Sequence, residues 1–214
     1  TGNLCQIMAG NRRTEEYRVW EILTKDVAWS IEQLRVFGLE SNSRGTELQT
    51  YQIFEILVAY LFSKLHEDYD WTVTKKGRDQ GIDFVGTTNF IKSNALSIHA
   101  TLTIGGQCKK RENPSELLNE LGGGVIKMSA ALQPAYVVIA LSAKVSKNRI
   151  MNARRDIEKV TQRNCYILDR EQIEGLFAAH LQHFQFLIAA ALSEEDRSYV
   201  LRYFTNRSPW SVGL

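Results

Sequence analysis

Asp79-Gln80-Gly81-Ile82-Asp83 and, further along, Gln107-Cys108-Lys109-Lys110-Arg111 are the stretches on which the reading of this 214-residue chain turns. The first closes a turn-prone run, Lys76 to Gly81, that separates two extended segments, Trp71 to Lys75 and Ile82 to Thr87, and so predicts a hairpin. The second ends a further extended segment that begins near His99, after an irregular polar stretch around Asn89, Lys92, Ser93 and Asn94 that reads as an inserted loop. Gln107 and Lys109 are two apart on a strand and project from one face. A carbonyl oxygen and a cation are therefore offered together, with Asp83 on a second strand.

Outward from this centre the chain alternates helices and strands. Tyr17, Trp20, Leu23, Val27, Ile31 and Leu34 recur at steps of three and four and predict one helix from Thr14 to Gly38, capped by Thr14. The polar run Glu40 to Gly45 then marks a boundary. Tyr51 to Leu65 reads as a helix with Tyr51, Phe54, Val58, Leu61, Phe62 and Leu65 buried and Glu55 at the edge of that stripe. A helix from Pro114 through Leu132 contains Gly122-Gly123-Gly124, a run that either breaks it or admits close backbone packing. There follow a buried strand over Ala135 to Leu141, a helix from Ser146 to Gln162, a strand over Cys165 to Leu168 and a helix capped by Asp169. Mixed α/β architecture follows.

Composition narrows the function. Lys and Arg total 26 against 24 Asp and Glu, a net charge of +2, so affinity for nucleic acid has to come from local clusters. Lys75, Lys76 and Arg78 by the hairpin and Lys110 and Arg111 past the strand form such a cluster, suited to phosphate contacts without base readout. Cys5, Cys108 and Cys165 are odd in number and lack CxxC spacing, against a disulfide framework or thiolate zinc site and in keeping with a reducing cytoplasm. His180 and His183 have helical spacing, but no further ligand motif joins them, and they read as structural, as does the lone His99. Tyr17 and Trp20 read as packing or partner contacts rather than base stacking. The apolar run Leu176 to Leu192 is interrupted by His180, Gln182, His183 and Gln185, so no membrane span is expected. The chain begins at Thr1, and a longer parent polypeptide is expected.

Asp79 to Asp83 followed by Gln107 to Arg111 resembles the PD-(D/E)xK nucleases in their QxK form, with Mrr-type restriction endonucleases the nearest match. The resemblance extends to the helix carrying Glu55, the strand Tyr136 to Leu141 and the stretch Cys165 to Asp169 before a final helix, covering roughly Tyr51 to Ala179. It implies a restriction-endonuclease-like core, a central mixed β-sheet flanked by helices, over 46–180, with an N-terminal helical arm over 1–45 and a C-terminal helical extension over 181–214. It implies that Asp83, Gln107 and Glu55 bind Mg2+, for which Mn2+ can substitute, and that Lys109 assists hydrolysis of DNA phosphodiesters, in restriction or defence against foreign DNA. A metal that favours oxygen ligands suits this set. A homodimer or larger assembly is expected, and target recognition is expected from further domains or subunits, because no winged-helix reader accompanies the pattern. Two other readings share these residues: a structure-selective repair or junction nuclease, and an inactive nuclease fold that binds nucleic acid or serves assembly.

Overall fold

The computed structural model describes residues 14–41, 47–74, 81–93, 98–110 and 114–207. The segment read as one long N-terminal helix is three elements: helix α1 over 14–23, strand β1 (Asp26–Ser30) and helix α2 (Ile31–Val36). The helical stripe is a coincidence of two periods. Trp29 is fully buried within β1 between exposed and half-buried neighbours, and Ser30 starts a new helix through a capping box with Gln33. Gly38, at φ +70°, ends the helical stretch as read from the sequence. Residues Glu40–Ser41 (β2) and Glu47–Gln52 (β3) are also strands, and Tyr51, expected on the next helix, instead pairs with Val27 across the β1–β3 ladder.

Helix α3 (Ile53–Leu65) is apolar on nearly every side, with Ile53, Phe54, Ile56, Leu57, Val58, Ala59, Tyr60, Leu61 and Phe62 all buried. A helix of that composition has to be covered all round. The main sheet lies to one side of it, and α1 and the C-terminal helices lie to others. The hairpin is present: β4 (Asp70–Val73) pairs antiparallel with β5 (Phe84–Ser93), and β5 with β6 (Ile98–Lys109). The irregular stretch read as an inserted loop is strand up to Ser93, since Asn89 pairs with Thr101 and Ile91 with His99. The long spacing between Asp83 and Gln107 is thus the length of a hairpin. Asn94 lies outside the described residues.

Helix α4 (Pro114–Leu132) runs unbroken through its three glycines and leads to β7 (Tyr136–Leu141), which pairs parallel with β6. Helix α5 (Lys147–Thr161) connects to β8 (Asn164–Leu168), parallel to β7. The sheet order is β2-β4-β5-β6-β7-β8, parallel at both ends and antiparallel in the middle. This is a mixed α/β fold with a central mixed sheet flanked by helices. Alternation along β7 separates two cores: Val137, Ile139 and Leu141 join Val125 and Met128 of α4 and Ile157 of α5, while Val138 and Ala140 join α3. No helix among the described residues is long and apolar enough to cross a membrane.

The C-terminal part folds onto α3. Asp169 caps α6 (Arg170–Ala179) through a capping box with Gln172, as its position predicts. The chain then breaks at His180 into α7 (Leu181–Ala191) and continues as α8 (Glu194–Thr205). Phe184 of α7 meets Phe177 and Tyr60 edge-on, at ring separations of 4.7 and 5.5 Å. Glu174, buried on α6, accepts hydrogen bonds from Trp20 Nε1 at 2.9 Å and Tyr203 OH at 3.0 Å, so one carboxylate ties α1, α6 and α8 together. Arg207 lies 3.6 Å from its other oxygen. Burial and the neighbouring Glu174 charge push the Tyr203 phenol well above its ordinary range. Removing a buried acid that several partners share leaves donors and a cation without their counterpart. Glu174→Ala is expected to lower unfolding free energy by about 3 kcal/mol in equilibrium urea denaturation; a change below about 0.5 kcal/mol, the level of an ordinary surface substitution, would contradict this account.

Candidate active site

Phe84 pairs with Gly106, and the Asp83 backbone N–H donates to the Gly106 carbonyl at 2.9 Å, which sets Asp83 across from Gln107. Here the two strands separate. The Ile82 carbonyl turns to accept from Thr74 Oγ1, and the Cys108 N–H, on the β5 side of β6, donates to Asp83 Oδ2 instead of to a strand carbonyl. A buried N–H has to find an acceptor, and the carboxylate provides it where the ladder runs out. The opposite edge of β6 remains tied down, because Ser142 N–H donates to the Lys109 carbonyl at 3.0 Å.

Gln107 is only 1% exposed. Its side chain lies on the α4 face of the sheet, in a slot formed by two glycines. A Cβ on Gly124 would come 2.4 Å from Gln107 Nε2, and one on Gly81, which sits at φ +83°, would come 2.9 Å from the same atom. Gly124 of the α4 glycine run therefore serves close packing, the second of the two readings left open by the sequence. Gln107 Oε1 is buried with no hydrogen-bond partner among the described residues. A buried acceptor left in that state requires an explanation.

Neighbouring β6 positions alternate between the faces. Gly105 and Gln107 face α4, whereas Ile104 and Cys108 belong to the core shared with α3. Lys109 follows Gln107 onto the α4 side by the same alternation and is half-buried. Glu55, half-buried on α3, approaches from the opposite side of the sheet. The charges of Asp83, Glu55 and Lys109 all act on the Cys108 thiol: burial pushes it far up, Asp83 and Glu55 push it further, and Lys109 opposes them. The four residues singled out from sequence thus converge on one end of β6, with Glu55 on the other face from Gln107.

Lys110 is exposed, and its Nζ reaches the Thr24 carbonyl at 3.4 Å, toward α1. Lys75, Lys76, Arg78 and Arg111 lie outside the described residues. His180 and His183 stand 6.2 Å apart, and among the described residues no group of three His, Cys, Asp or Glu side chains is placed to hold a metal ion. A cation here would need the Gln107 amide oxygen as well as carboxylates. Sequence reading missed Gly81 as part of the Gln107 slot and Thr74 as the partner that opens the strand pair. The left-handed glycine ahead of Ile82 was the available signal for the first.

Comparison with solved structures gives a match to the DNA modification-dependent restriction endonuclease AspBHI, 14% identical, with a TM-score of 0.44, covering 91% of this chain and 40% of that one. The chain thus spans less than half the length of that structure. No protein-family model and no curated protein matches the chain.

The buried thiols provide a check on the site. Cys165 is pushed up to about 12, chiefly by burial and then by Glu158. The unfolded chain ionises its thiols near pH 8.5. Both folded values are higher, so their contribution to stability is complete below that pH and is lost as pH rises through the folded values. At pH 8 iodoacetamide is expected to spare Cys108 and Cys165 in the native protein and to alkylate both in urea, read peptide by peptide by mass spectrometry. Rapid native alkylation of Cys108 would show that its thiol is not buried in the core shared with α3.

Proposed function

We propose that the chain carries a metal-dependent endonuclease centre that hydrolyses DNA phosphodiester bonds, with Asp83, Gln107 and Lys109 at its heart and Glu55 completing it from the α3 side. The observation that carries this reading is the buried Gln107 Oε1, without a hydrogen-bond partner among the described residues, on the residue before the Cys108 N–H that donates to the Asp83 carboxylate where two strands part. A hard oxygen without a hydrogen bond, on the strand position facing a carboxylate residue, fits a hard cation such as Mg2+ or Mn2+. When bound, such an ion polarises the phosphate and lowers the pKa of a water. Asp83 supplies the compensating charge and is held in place by the Cys108 N–H. Gln107 supplies a neutral ligand whose position is fixed by the glycine slot. Lys109, on the same face, orients the attacking water and offsets charge growing on the phosphoryl oxygens. The basic residues Lys75, Lys76, Arg78, Lys110 and Arg111 hold the backbone.

Cleavage of both strands needs two such centres, so a homodimer or larger assembly is the proposed working form. Target recognition by further domains or subunits, and a restriction or defence role of the Mrr type, complete the proposal. One observation favours a second reading, a nuclease fold without catalysis that binds nucleic acid: Gln107 is enclosed and the Asp83 carboxylate already accepts a backbone N–H.

Nicking and full cleavage of plasmid DNA across a series of Mg2+ and Mn2+ concentrations separate the two. The parent is expected to cut only with metal and to stop in excess chelator. Gln107→Glu keeps an oxygen ligand and at least part of the activity. Gln107→Leu, Asp83→Asn and Lys109→Ala each lose on the order of hundredfold, Lys109→Ala with DNA binding better preserved than cleavage. Gly124→Ala, which crowds Gln107 without altering its chemistry, falls with Gln107→Leu. If Gln107→Leu, Asp83→Asn and Lys109→Ala all cut as fast as the parent, the centre lies elsewhere; binding by the parent with no nick under any metal would favour the second reading.

A further inference from the structure

Beyond the last residue of β6 the sheet ends in a cavity of about 460 Å³, bounded by α1 on one side and by the residues following β7 on the other. Its polar lining includes Tyr17, Glu21, Lys110, Ser142, Lys144 and Arg170. The volume falls within the roughly 300–1,000 Å³ of small-ligand sites. Lys110 directly follows Lys109, and the Ser142 N–H is bonded to the Lys109 carbonyl, so the cavity opens beside the candidate catalytic strand.

The lining has a definite chemistry. Tyr17 is 57% exposed, far more than the core aromatics around it, and it presents a ring at the wall. Arg170 is engaged by Glu16 and approaches Glu174 at 3.7 Å, so its charge is already matched. Lys144 meets Glu16 at 3.5 Å, but its side chain is 47% exposed, and an ion pair that open to water holds its partner only weakly. Among the described residues the Lys110 ammonium makes only a long contact, 3.4 Å, to the Thr24 carbonyl. Two ammonium groups thus lie within reach of an anion. Among the described residues Glu21 is the one carboxylate of the lining, and an acceptor there suits the exocyclic amino group of a base.

We propose that this cavity takes one unpaired nucleotide of the substrate strand, its base stacked on Tyr17 and its phosphate held by Lys110 and Lys144, next to the phosphodiester that Lys109 addresses. This rests on the nuclease reading for its substrate, and it adds a requirement that reading lacks. A base stacked on a protein ring has left the duplex stack, so the site selects DNA with a single-stranded or displaced nucleotide over continuous duplex. Sequence reading placed Tyr17 in packing or partner contact; its exposure at the cavity wall assigns it to ligand contact.

Fluorescence anisotropy of a fluorescein-labelled single-stranded DNA oligonucleotide, in excess chelator so that nothing is cut, tests the site apart from catalysis. Circular dichroism melting confirms that each variant folds. Tyr17→Ala is expected to weaken binding about tenfold, the scale of one lost base stack, while Tyr17→Phe stays within about twofold. The pair Lys110→Ala with Lys144→Ala weakens binding similarly and flattens its salt dependence. The charge-matched pair Arg155→Ala with Lys159→Ala, on exposed positions of α5, binds as the parent does. An unlabelled continuous duplex competes more weakly than an unlabelled single strand. The proposal is overturned if the parent does not bind the probe, if Tyr17→Ala binds as the parent does, or if the two double variants have equal effects. Loss of binding in Tyr17→Ala in a protein that never cuts DNA would keep the cavity and remove the nuclease reading; unaltered binding by Tyr17→Ala in a protein that cuts with Mg2+ would do the reverse.

Discussion

The carboxylate of Asp83 stands where a strand should be. At that point β5 turns away from β6, and the Cys108 N–H would be left without an acceptor inside the protein if Asp83 Oδ2 did not receive it. The separation of the strands, the orientation of Gln107 and the enclosure of Cys108 all depend on this exchange. It also explains why an acid can sit beside a sheet core at this position: one of its oxygens does backbone work, and the charge remains at the strand end. The rest of the fold fixes the register from both sides, through the β5–β6 ladder and through the parallel pairing of Gln107 with Ile139.

Close packing then determines what Gln107 can reach. Two positions without a Cβ, Gly81 and Gly124, leave a slot only wide enough for the amide. An amide oxygen confined there without a hydrogen bond loses its water and gains nothing unless a cation or a donor meets it. The proposed metal centre is the resolution that also uses Asp83. Meanwhile the α3 face of the same strand is apolar around Cys108, so the charges of Glu55 and Asp83 act through a medium that screens them poorly. The arm that carries α1 and the helices that follow Ala179 share the core of α3, through Trp20, Phe184 and Phe204.

Much of the central fold was legible because its signals are local. The glycine-containing turn and the alternating segments gave the β4–β5 hairpin, Asp169 with Gln172 gave a helix start, and Gln107 and Lys109 lie on β6 as their spacing predicts, whereas Asp83, expected on a strand, lies in the bend just before β5. The N-terminal segment was not legible in the same way. Tyr17, Trp20, Leu23, Val27, Ile31 and Leu34 happen to fall at helical steps, yet Val27 and Trp29 also alternate as a strand requires, and Ser30 with Gln33 is a capping box that restarts the chain. The stretch holding Asn89, Lys92 and Ser93 looked like a loop because its polar residues interrupt the apolar alternation by which a strand is read. That Gln107 would be enclosed, on the face away from Glu55, depends on which helices cover which side of the sheet, and a spacing of two cannot tell one face from the other. Only the triple glycine in α4 hinted at it.

Anomalous diffraction from crystals of the protein grown with Mn2+ bears most directly on the central claim. The account places a peak about 2 Å from Gln107 Oε1, shared with the Asp83 carboxylate. Full occupancy of Mn2+ elsewhere in the molecule, with Gln107 Oε1 hydrogen-bonded to a protein donor and no peak between it and Asp83, would contradict it.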